Sequence, residues 1–227
     1  MSELFLVAEN LFKSFDSPNG KIEVLRGVDV CIRRGEKILI QGPSGSGKTT
    51  LLMLLSLLDK PDSGRIFFKG ELISFEDEKR LKELRNQKFG FIFQFYNLIR
   101  ELTALENVMI PLLIKGENES AARKRGIEVL ELVGLKEKIH FYPSQISGGE
   151  EQRVAIARAI VNNPEIIFAD EPTGSLDEKN AHKVMNILFE LVEKNNVSLI
   201  MVSHNPLWIK HFNLCYYLQE GKLRLMK

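Results

Sequence analysis

A glycine-rich loop stands between two apolar segments in the first quarter of the chain. The loop reads Gly42-Pro43-Ser44-Gly45-Ser46-Gly47-Lys48-Thr49, which fits the pattern GxxxxGK[ST]. Lys37–Ile40 before it is typical of a short buried strand, and Thr49–Leu58 after it is typical of an apolar helix. A strand, a glycine-rich turn and a helix in this order predict a phosphate-binding loop in an α/β fold.

The residue types of this loop suit the phosphates of ATP. The glycines let backbone N–H groups turn toward phosphate oxygens, and the start of the helix adds its positive end. The ammonium of Lys48 would neutralise charge on the β- and γ-phosphates, and the hydroxyl of Thr49 would complete the shell of a Mg²⁺ ion. We expect Thr50 to contact the α-phosphate. The predicted ATP-binding residues of the loop are Gly42, Pro43, Ser44, Gly45, Ser46, Gly47, Lys48, Thr49 and Thr50.

Two carboxylates follow a second apolar strand. Ile166–Ala169 runs directly into Asp170 and Glu171, at the end of the strand where an α/β sheet binds its ligands. Asp170 can hold Mg²⁺ through water, and Glu171 can polarise an attacking water. Together with the glycine-rich loop, the pair predicts hydrolysis of the bound nucleotide.

The remaining patterns predict which elements surround these motifs. Strands are expected at Leu6–Ala8 and Val24–Ile32 around a turn at residues 17–20, and the phenylalanines at alternate positions from 89 to 95 indicate a strand that ends at Gln94. Thr103–Ala159 has helical periodicity. Further strands are expected at Ser198–Val202, Cys215–Leu218 and Lys222–Leu225. These patterns favour a mostly parallel core sheet, an antiparallel N-terminal part and an inserted helical part.

Composition excludes several function classes. Lys and Arg number 31 against 30 Asp and Glu, so the net charge of +1 gives no general attraction to nucleic acid. The longest apolar stretch, Leu51–Leu58, is far shorter than the roughly 20 residues that span a bilayer. We therefore expect no nucleic-acid partner, no membrane span and a cytoplasmic protein whose contact with a membrane goes through another subunit.

The segment Ile146-Ser147-Gly148-Gly149-Glu150, followed by Gln152-Arg153 and an apolar helix, resembles the LSGGQ signature of ABC ATPases. It precedes Asp170 and Glu171 at the family's usual short spacing, and the resemblance extends over essentially the whole chain. It implies a P-loop NTPase of the ABC-cassette type, with a single ATPase domain over residues 1–227. In that domain, residues 1–94 and 163–227 would form the RecA-like core with an antiparallel β subdomain, and residues 95–162 the helical signature subdomain.

The signature also has a local physical interpretation. Ser147 followed three residues later by Glu150 predicts a capping box at a helix start, in which the serine keeps a hydroxyl proton to donate to a phosphate. With Gly148 and Gly149 next to it, this helix start would be an anion site. In the family the signature faces the γ-phosphate bound by the other protomer. The resemblance therefore implies an ATP-dependent, head-to-tail homodimer.

Four further residues take roles from the resemblance. Gln94 matches the glutamine that joins the core to the helical subdomain and senses Mg²⁺ and the membrane partner. Asp177 matches the aspartate that crosses the dimer interface, His204 the switch histidine at the γ-phosphate, and Phe15 an aromatic residue that stacks on adenine. The implied catalytic residues are then Glu171, His204, Lys48 and Gln94; the ATP-binding residues outside the loop are Phe15, Ser147, Gly148, Gly149, Glu150 and Asp177; the metal-binding residues are Thr49, Gln94 and Asp170.

The signature departs from the family pattern at three positions. Ile146 replaces leucine, Glu150 replaces glutamine, and Glu151 stands where glutamine, arginine or lysine is common. Two adjacent carboxylates at a helix start that faces phosphate would weaken nucleotide-driven closure, although they favour the helix dipole. Activity is still expected, because the residues assigned to phosphate and Mg²⁺ chemistry match the family.

Two longer segments indicate a branch of the family. Asn97–Val108 and Ala169–Asp177 are similar to the lipoprotein-release and macrolide-export branch. That similarity implies an ATPase subunit on the inner face of the cell membrane that powers a separate integral membrane permease. An alternative is a cassette that regulates cell-wall remodelling or division through a membrane partner without transport. A soluble ABC ATPase of DNA repair or translation is disfavoured, because the coiled-coil insertions or fused cassettes usual there are absent.

Overall fold

The computed structural model describes residues 4–18 and 20–226, so Asn19 of the predicted turn and the two terminal ends lie outside it. Among those residues the strands are β1 (Leu4–Ser17), β2 (Gly20–Arg33), β3 (Lys37–Gln41), β4 (Ser63–Phe68), β5 (Glu71–Leu72), β6 (Phe89–Ile92), β7 (Ile166–Asp170), β8 (Ser198–Val202), β9 (Leu214–Gln219) and β10 (Lys222–Leu225). The α-helices are α1 (Lys48–Leu55), α2 (Glu78–Gln87), α3 (Ala104–Lys115), α4 (Glu119–Leu132), α5 (Gly148–Ile160) and α6 (Glu178–Lys194). Short 3₁₀ helices lie at Lys136–Lys138, Pro143–Gln145 and Pro206–His211.

The chain divides into two compact units. Unit 1 consists of the described residues within Met1–Leu81 and Asn196–Lys227, and unit 2 is Lys82–Asn195. The first predicted motif, the glycine-rich loop, belongs to unit 1, and the predicted carboxylates and signature belong to unit 2. The subdomain boundaries inferred from the sequence, at residues 94/95 and 162/163, stay a prediction.

Unit 1 contains an antiparallel sheet with the strand order β2-β1-β4-β5. The side chains of Val28, Val30 and Ile32 on β2 are buried, and Asp29 between them is exposed. This alternation gives the strand one apolar face. The two N-terminal strands pair as the sequence predicts, and both extend well beyond the predicted ranges, from Leu4↔Arg33 to Ser17↔Gly20.

A second set of strands in unit 1 positions the glycine-rich loop. β3 pairs in parallel with β8 on one side and with β9 on the other, and β10 pairs antiparallel with β9. Ile38, Leu39 and Ile40 are fully buried, as a continuous apolar strand in a parallel sheet requires. α1 follows the loop and ends at Leu55, earlier than predicted, because the chain turns at Leu57 with a φ of 59°.

Unit 2 contains the parallel pair β6 and β7 together with helices α3 to α6. The rings of Phe89 and Phe91 both pack on Phe168, with centroids 5.2 and 6.0 Å away. β6 ends at Ile92 rather than at Gln94, because the chain turns through Tyr96, whose φ is 60°. α5 packs against α3, α4 and α6. Parallel strand pairs in both units and the helical part between β6 and β7 confirm the predicted α/β class.

Candidate functional site

The glycine-rich loop joins β3 to α1 in a conformation that needs glycine. Gly42 has a φ of 153° and Gly47 a φ of 96°. A Cβ atom at Gly42 would lie 2.2 Å from the carbonyl oxygen of Leu218, and one at Gly47 would lie 2.6 Å from Cγ1 of Val24. Both the dihedral angles and the close approaches therefore exclude a side chain at these positions.

Lys48 begins α1 and folds back over the loop. Its side chain is buried, and Nζ donates to the carbonyl oxygens of Gly42 and Pro43, each 2.9 Å away. Gly47 is the N-cap of α1 and has no side chain with which to cap the helix. The ammonium group and the positive end of the helix therefore act together on the loop, which makes the loop attractive to a phosphate.

Ser46 adds a polar group that nothing in the described chain satisfies. Its Oγ is buried, and among residues 4–18 and 20–226 it finds no hydrogen-bond partner. Buried polar groups are normally hydrogen-bonded. An orphaned hydroxyl inside the glycine-rich loop fits a ligand that accepts hydrogen bonds, such as a phosphate.

His204 lies at the same edge of the parallel strands as the loop. Ile40 of β3 pairs with Val202 of β8, and the amide of Ser203 donates to the carbonyl of Ile40 at 3.2 Å. His204 follows directly and is exposed. Because the carboxyl ends of parallel strands meet at one edge, His204 is placed where α/β sheets bind ligands.

Phe15 presents an exposed ring close in the fold to the glycine-rich loop. Phe15 is 44% exposed, and it lies opposite Ile22 where β1 pairs with β2. Val24, two positions further along β2, is the residue that approaches Gly47. Nζ of Lys13 lies 5.3 Å from the ring centroid. An exposed ring at this place suits stacking on a purine base.

In unit 2, Gln94 and Glu171 follow two adjacent parallel strands, and Asp170 is the last residue of one of them, β7. β6 and β7 pair from Phe89↔Ile166 to Ile92↔Ala169, so the three residues lie at one carboxyl edge. A Cβ at Gly174 would lie 2.9 Å from Nε2 of Gln94. The side chain of Gln94 therefore packs against the turn that follows Glu171.

Ser175 connects this turn to the segment after β6. Its Oγ lies 3.1 Å from the carbonyl oxygen of Gln94 and 2.9 Å from the hydroxyl of Tyr96. A carbonyl oxygen only accepts, and each hydroxyl has one proton. Donation from Tyr96 to Ser175 and from Ser175 to Gln94 satisfies both contacts.

Glu171 has an unusual backbone conformation for its residue type. Its φ is 44°, and the next residue is Pro172. A residue before proline is normally extended, and a positive φ in a residue other than glycine costs on the order of 1–3 kcal/mol. The carbonyl of Glu171 accepts from the amide of Gly174 at 2.9 Å, which closes a tight turn. The strain falls on the residue that the sequence identifies as the candidate base.

The signature forms the predicted helix start. Ser147 is the N-cap of α5, and the capping box with Glu150 is present. The carboxylate of Glu150 accepts from both the backbone amide and the hydroxyl of Ser147, at 2.8 and 2.9 Å. The serine proton, expected to be available to a phosphate, is thus directed to Glu150. These hydrogen bonds, the one from the Ser147 amide above all, lower the pKa of Glu150, whereas burial raises the pKa of Glu151.

Gly148, Gly149 and Asp177 lie near this helix start in unit 2. A Cβ at Gly148 would be 2.8 Å from the hydroxyl of Tyr96, and one at Gly149 would be 3.3 Å from the side chain of Asn180. Asp177 is the N-cap of α6 and accepts from the amide and side-chain nitrogens of Asn180, which lowers its pKa. Asn180 is therefore hydrogen-bonded to the predicted interface aspartate and lies beside Gly149 of the signature.

The structure adds two residues that the sequence interpretation did not assign. Gln152 is fully buried and donates from Nε2 to the carbonyl of Pro172 at 2.6 Å. Arg158 donates to the carbonyls of Tyr96 and Asn97, at 2.7 and 2.6 Å, and thereby holds the left-handed turn after Gln94. A glutamine on the apolar stripe of α5 was the signal that could have identified the first.

Each unit by itself carries residue types that suit a nucleotide phosphate or a Mg²⁺ ion. Within unit 1 these are the glycines of the loop, the ammonium of Lys48 and the hydroxyls of Ser46 and Thr49. Within unit 2, Gln94 has an amide oxygen and Asp170 a carboxylate. Hydroxyl, amide and carboxylate oxygens are the ligands that Mg²⁺ prefers. Across residues 4–18 and 20–226, no helix combines the length and apolar character needed to cross a bilayer.

Comparison with protein families gives a direct match. The family model described as ABC transporter matches residues 25–174. This range includes the glycine-rich loop, the signature, Asp170 and Glu171, and it covers well over half of the chain.

Named relatives match nearly the whole chain. The lipoprotein-releasing system ATP-binding protein LolD of Legionella pneumophila (strain Paris) is 47% identical over 223 residues, which cover 98% of this chain and 98% of that protein. The protein of the same name from Bacteroides fragilis (strain YCH46) is 43% identical, over 95% of this chain and 98% of its own length.

A solved structure also matches the whole fold. It is a dimeric structure of a post-hydrolysis state of the ATP-binding cassette MJ0796, bound to ADP and Pi. The match has a TM-score of 0.90 at 38% identity and covers 98% of each chain.

Proposed function

The chain belongs to the ABC transporter family and is an ATPase, and we propose that it powers a separate integral membrane permease of the lipoprotein-release or macrolide-export type. The support is the glycine-rich loop with its orphaned hydroxyl, which is built for nucleotide phosphate. A relative named for lipoprotein release is 47% identical to this chain over 98% of its length.

We assign the binding of Mg-ATP to specific residues. Phe15 stacks on the adenine, the backbone N–H groups of residues 44–47 surround the β-phosphate, and Lys48 neutralises the β- and γ-phosphates. Thr50 contacts the α-phosphate. Mg²⁺, when bound, offsets negative charge on the phosphates, and Thr49, Asp170 and Gln94 are the residues that would hold it, Asp170 through water.

Hydrolysis is an in-line transfer to water. Glu171 accepts a proton from the attacking water, whose oxygen forms a bond to the γ-phosphorus while the bond to the bridging oxygen of ADP breaks. The products are ADP and inorganic phosphate. His204 donates to the γ-phosphate and stabilises the charge on it. Gln94 orients the attacking water.

A second copy of the chain completes each nucleotide site in this proposal. Ser147, Gly148, Gly149 and Glu150 face the γ-phosphate held by the partner, and Asp177 crosses the interface. A helix start with a polar N-cap suits a phosphate. The matching dimeric cassette, solved with ADP and Pi, supports this arrangement. ATP then joins two copies, and hydrolysis separates them.

We assign the permease contact to the segment that directly follows Gln94, and we propose with it a location at the inner face of the cell membrane. Phe95 is 75% exposed, and with Tyr96, Leu98, Arg100 and Glu151 it lines a surface depression in unit 2. An exposed aromatic residue in a depression suits a helix of a partner laid into it. Because this segment follows Gln94 directly, a displacement of the segment also moves Gln94, a residue assigned to catalysis.

Replacing the proposed base is the direct test. Glu171→Gln should bind ATP, lose turnover by about 100-fold or more, and accumulate as an ATP-bound dimer. Glu190→Gln makes the same chemical change on an exposed face of α6 and should keep wild-type turnover. Turnover is measured by phosphate release, and the dimer by size-exclusion chromatography with Mg-ATP. Wild-type turnover in Glu171→Gln would exclude Glu171 as the base.

The membrane partner is tested with the same variant. Tagged Glu171→Gln is purified with Mg-ATP from detergent-solubilised native membranes, and the co-purified proteins are identified by mass spectrometry. A partner with a few membrane spans and a large extracytoplasmic domain would support the proposal. A septal protein would point to regulation of cell-wall remodelling instead, and the absence of any membrane protein would contradict the permease assignment.

A further inference from the structure

Gln152 is a buried polar side chain whose hydrogen bond is not explained by the stability of the fold alone. The side chain is fully buried in α5, and its Nε2 lies 2.6 Å from the carbonyl oxygen of Pro172. Since a carbonyl can only accept, the contact fixes the orientation of the amide. The other amide atom, Oε1, has no hydrogen-bond partner among residues 4–18 and 20–226. A buried amide whose oxygen has no hydrogen-bond partner is costly, and an apolar side chain of similar shape would avoid that cost.

The acceptor of this hydrogen bond belongs to the strained turn. Pro172 follows Glu171, whose φ of 44° is disfavoured before proline. Pro172 has no N–H, so its carbonyl is its only backbone hydrogen-bonding group. Gln152 holds that group, and therefore holds the Pro172–Thr173 peptide plane, which lies one residue after Glu171 inside the same turn.

We propose that Gln152 is a positioning residue for Glu171: its buried amide holds the Glu171–Pro172 turn in the conformation that aims the carboxylate of Glu171 at the attacking water. This inference rests on the assignment of Glu171 as the base under the proposed function. Gln152 does not touch the substrate in this proposal and acts only through the backbone of Pro172.

The position of Gln152 in the chain adds a consequence. It lies on α5, the helix that begins at the signature serine Ser147. A shift of α5 therefore changes the hydrogen bond to Pro172. In this proposal α5 faces the nucleotide held by the partner, and the Glu171–Pro172 turn carries the base for the nucleotide held by the same chain. The hydrogen bond of Gln152 thus couples the two sites.

Two substitutions of the full-length chain test the role. Gln152→Met keeps the length and apolar packing of the side chain but removes the donor. We expect kcat to fall by about 10- to 100-fold, as a small misplacement of a catalytic group does. KM for Mg-ATP, and the affinity for a fluorescent analogue of ATP measured by titration, should stay at their wild-type values.

Gln152→Glu gives a readout that a merely structural role would not move. A fully buried carboxyl has a raised pKa. Only its protonated form can donate to the carbonyl of Pro172. The ratio of kcat in this variant to kcat in the wild type should therefore rise as pH falls from about 8.5 to 6, corrected for the folded fraction at each pH by circular dichroism. Taking the ratio removes the pH dependence that the variant and the wild type share.

The outcomes separate this inference from the proposed function. Wild-type kcat in Gln152→Met, or a ratio for folded Gln152→Glu that does not change with pH, overturns the positioning role. If Gln152→Met fails to fold, the pH series of Gln152→Glu decides alone. If Glu171→Gln is inactive and the Gln152 variants behave like the wild type, only the positioning role is contradicted. If Glu171→Gln is active, the assignment of Glu171 as the base is contradicted as well.

Discussion

The two turns that follow β3 and β7 both need a positive φ, but they place it on different residue types and support it differently. Each lies at the carboxyl end of a parallel strand and carries candidate chemistry, and each contains a positive φ. In the turn after β3 the positive φ falls on glycines, which adopt it at little cost. In the turn after β7 it falls on Glu171, and hydrogen bonds with Gln152 and Gln94, from elsewhere in unit 2, hold the turn in place. A loop that binds through its backbone can be made of glycine, but a loop that must present a carboxylate cannot.

The difference also explains how far apart the supporting residues lie. The turn after β3 is supported by its own lysine, five and six positions from the carbonyls it contacts. The turn after β7 depends on Gln152, which is 20 positions away, and on Ser175, whose contact with Gln94 spans 81 positions. The first turn is thus a local structure, and the second is a product of tertiary packing.

The largest expected effect tests the glycines of the first turn. Gly42→Ala places a Cβ 2.2 Å from the backbone of Leu218, whereas Gly45→Ala meets no atom within 4 Å, although both residues have positive φ. The unfavourable φ costs about 1–2 kcal/mol in each variant. Overpacking adds about 1–3 kcal/mol only at Gly42. Urea unfolding of the ligand-free protein measures both, and equal losses would show that the backbone of Leu218 yields.

An intermediate effect tests the side-chain support of the second turn. Ser175→Ala removes its contacts with Gln94 and Tyr96, and should lower the free energy of unfolding by about 0.5–1.5 kcal/mol. Tyr96→Phe removes one contact and should cost less.

The double variant gives the coupling between the two hydroxyls. Once Ser175 is alanine, Tyr96→Phe should cost almost nothing more, because the hydroxyl it deletes has already lost that partner. Full additivity of the two losses in urea unfolding would rule out the hydrogen-bond chain.

The smallest effect distinguishes two adjacent carboxylates at the start of α5. The pKa of Glu150 is lowered by its hydrogen bonds with Ser147, so its ionised form stabilises the fold at neutral pH. That stability is lost as pH falls through the lowered pKa. The pKa of Glu151 is raised by burial, so its contribution has the opposite sign and is lost as pH rises through the raised pKa.

Paired neutral substitutions measure this contrast. Glu150→Gln should lower the free energy of unfolding at pH 7 by up to about 1 kcal/mol, as loss of a helix cap does, and the difference from wild type should vanish in acid. Glu151→Gln should change stability at pH 7 by less than about 0.5 kcal/mol and toward higher stability. If the two substitutions changed the free energy of unfolding at pH 7 in the same direction, the environments described for Glu150 and Glu151 would be contradicted.

Much of the fold was predictable because it depends on consecutive residues. The strand, loop and helix around Gly42–Thr49, the capping box of Ser147 and the strand Ser198–Val202 were all predicted from local patterns, and the structure confirms them. Local sequence determines backbone conformation at such places, and burial of a continuous apolar strand is visible in composition. The roles of the site residues stay predictions.

What could not be predicted depends on contacts between distant residues. The early end of β6 follows from a left-handed turn at Tyr96 and Asn97 that Arg158 holds from more than 60 positions away. The direction of the Ser147 proton toward Glu150 depends on a hydroxyl rotation that sequence does not specify. The strain at Glu171 is likewise invisible, because nothing in its residue type favours a positive φ.

The pairing of β3 with β8 and β9 has a consequence for how the chain is made. Gly35, just before β3, donates to Ser198, 163 positions later, and both parallel partners of β3 come from the segment after residue 195. During synthesis on the ribosome, β3 therefore emerges long before its neighbours β8 and β9, whereas unit 2 is one continuous stretch. Continuous units fold as they emerge. The glycine-rich loop is thus among the first features to be translated and among the last to become structured, so we expect that ribosome-bound chains that stop before β8 do not bind ATP.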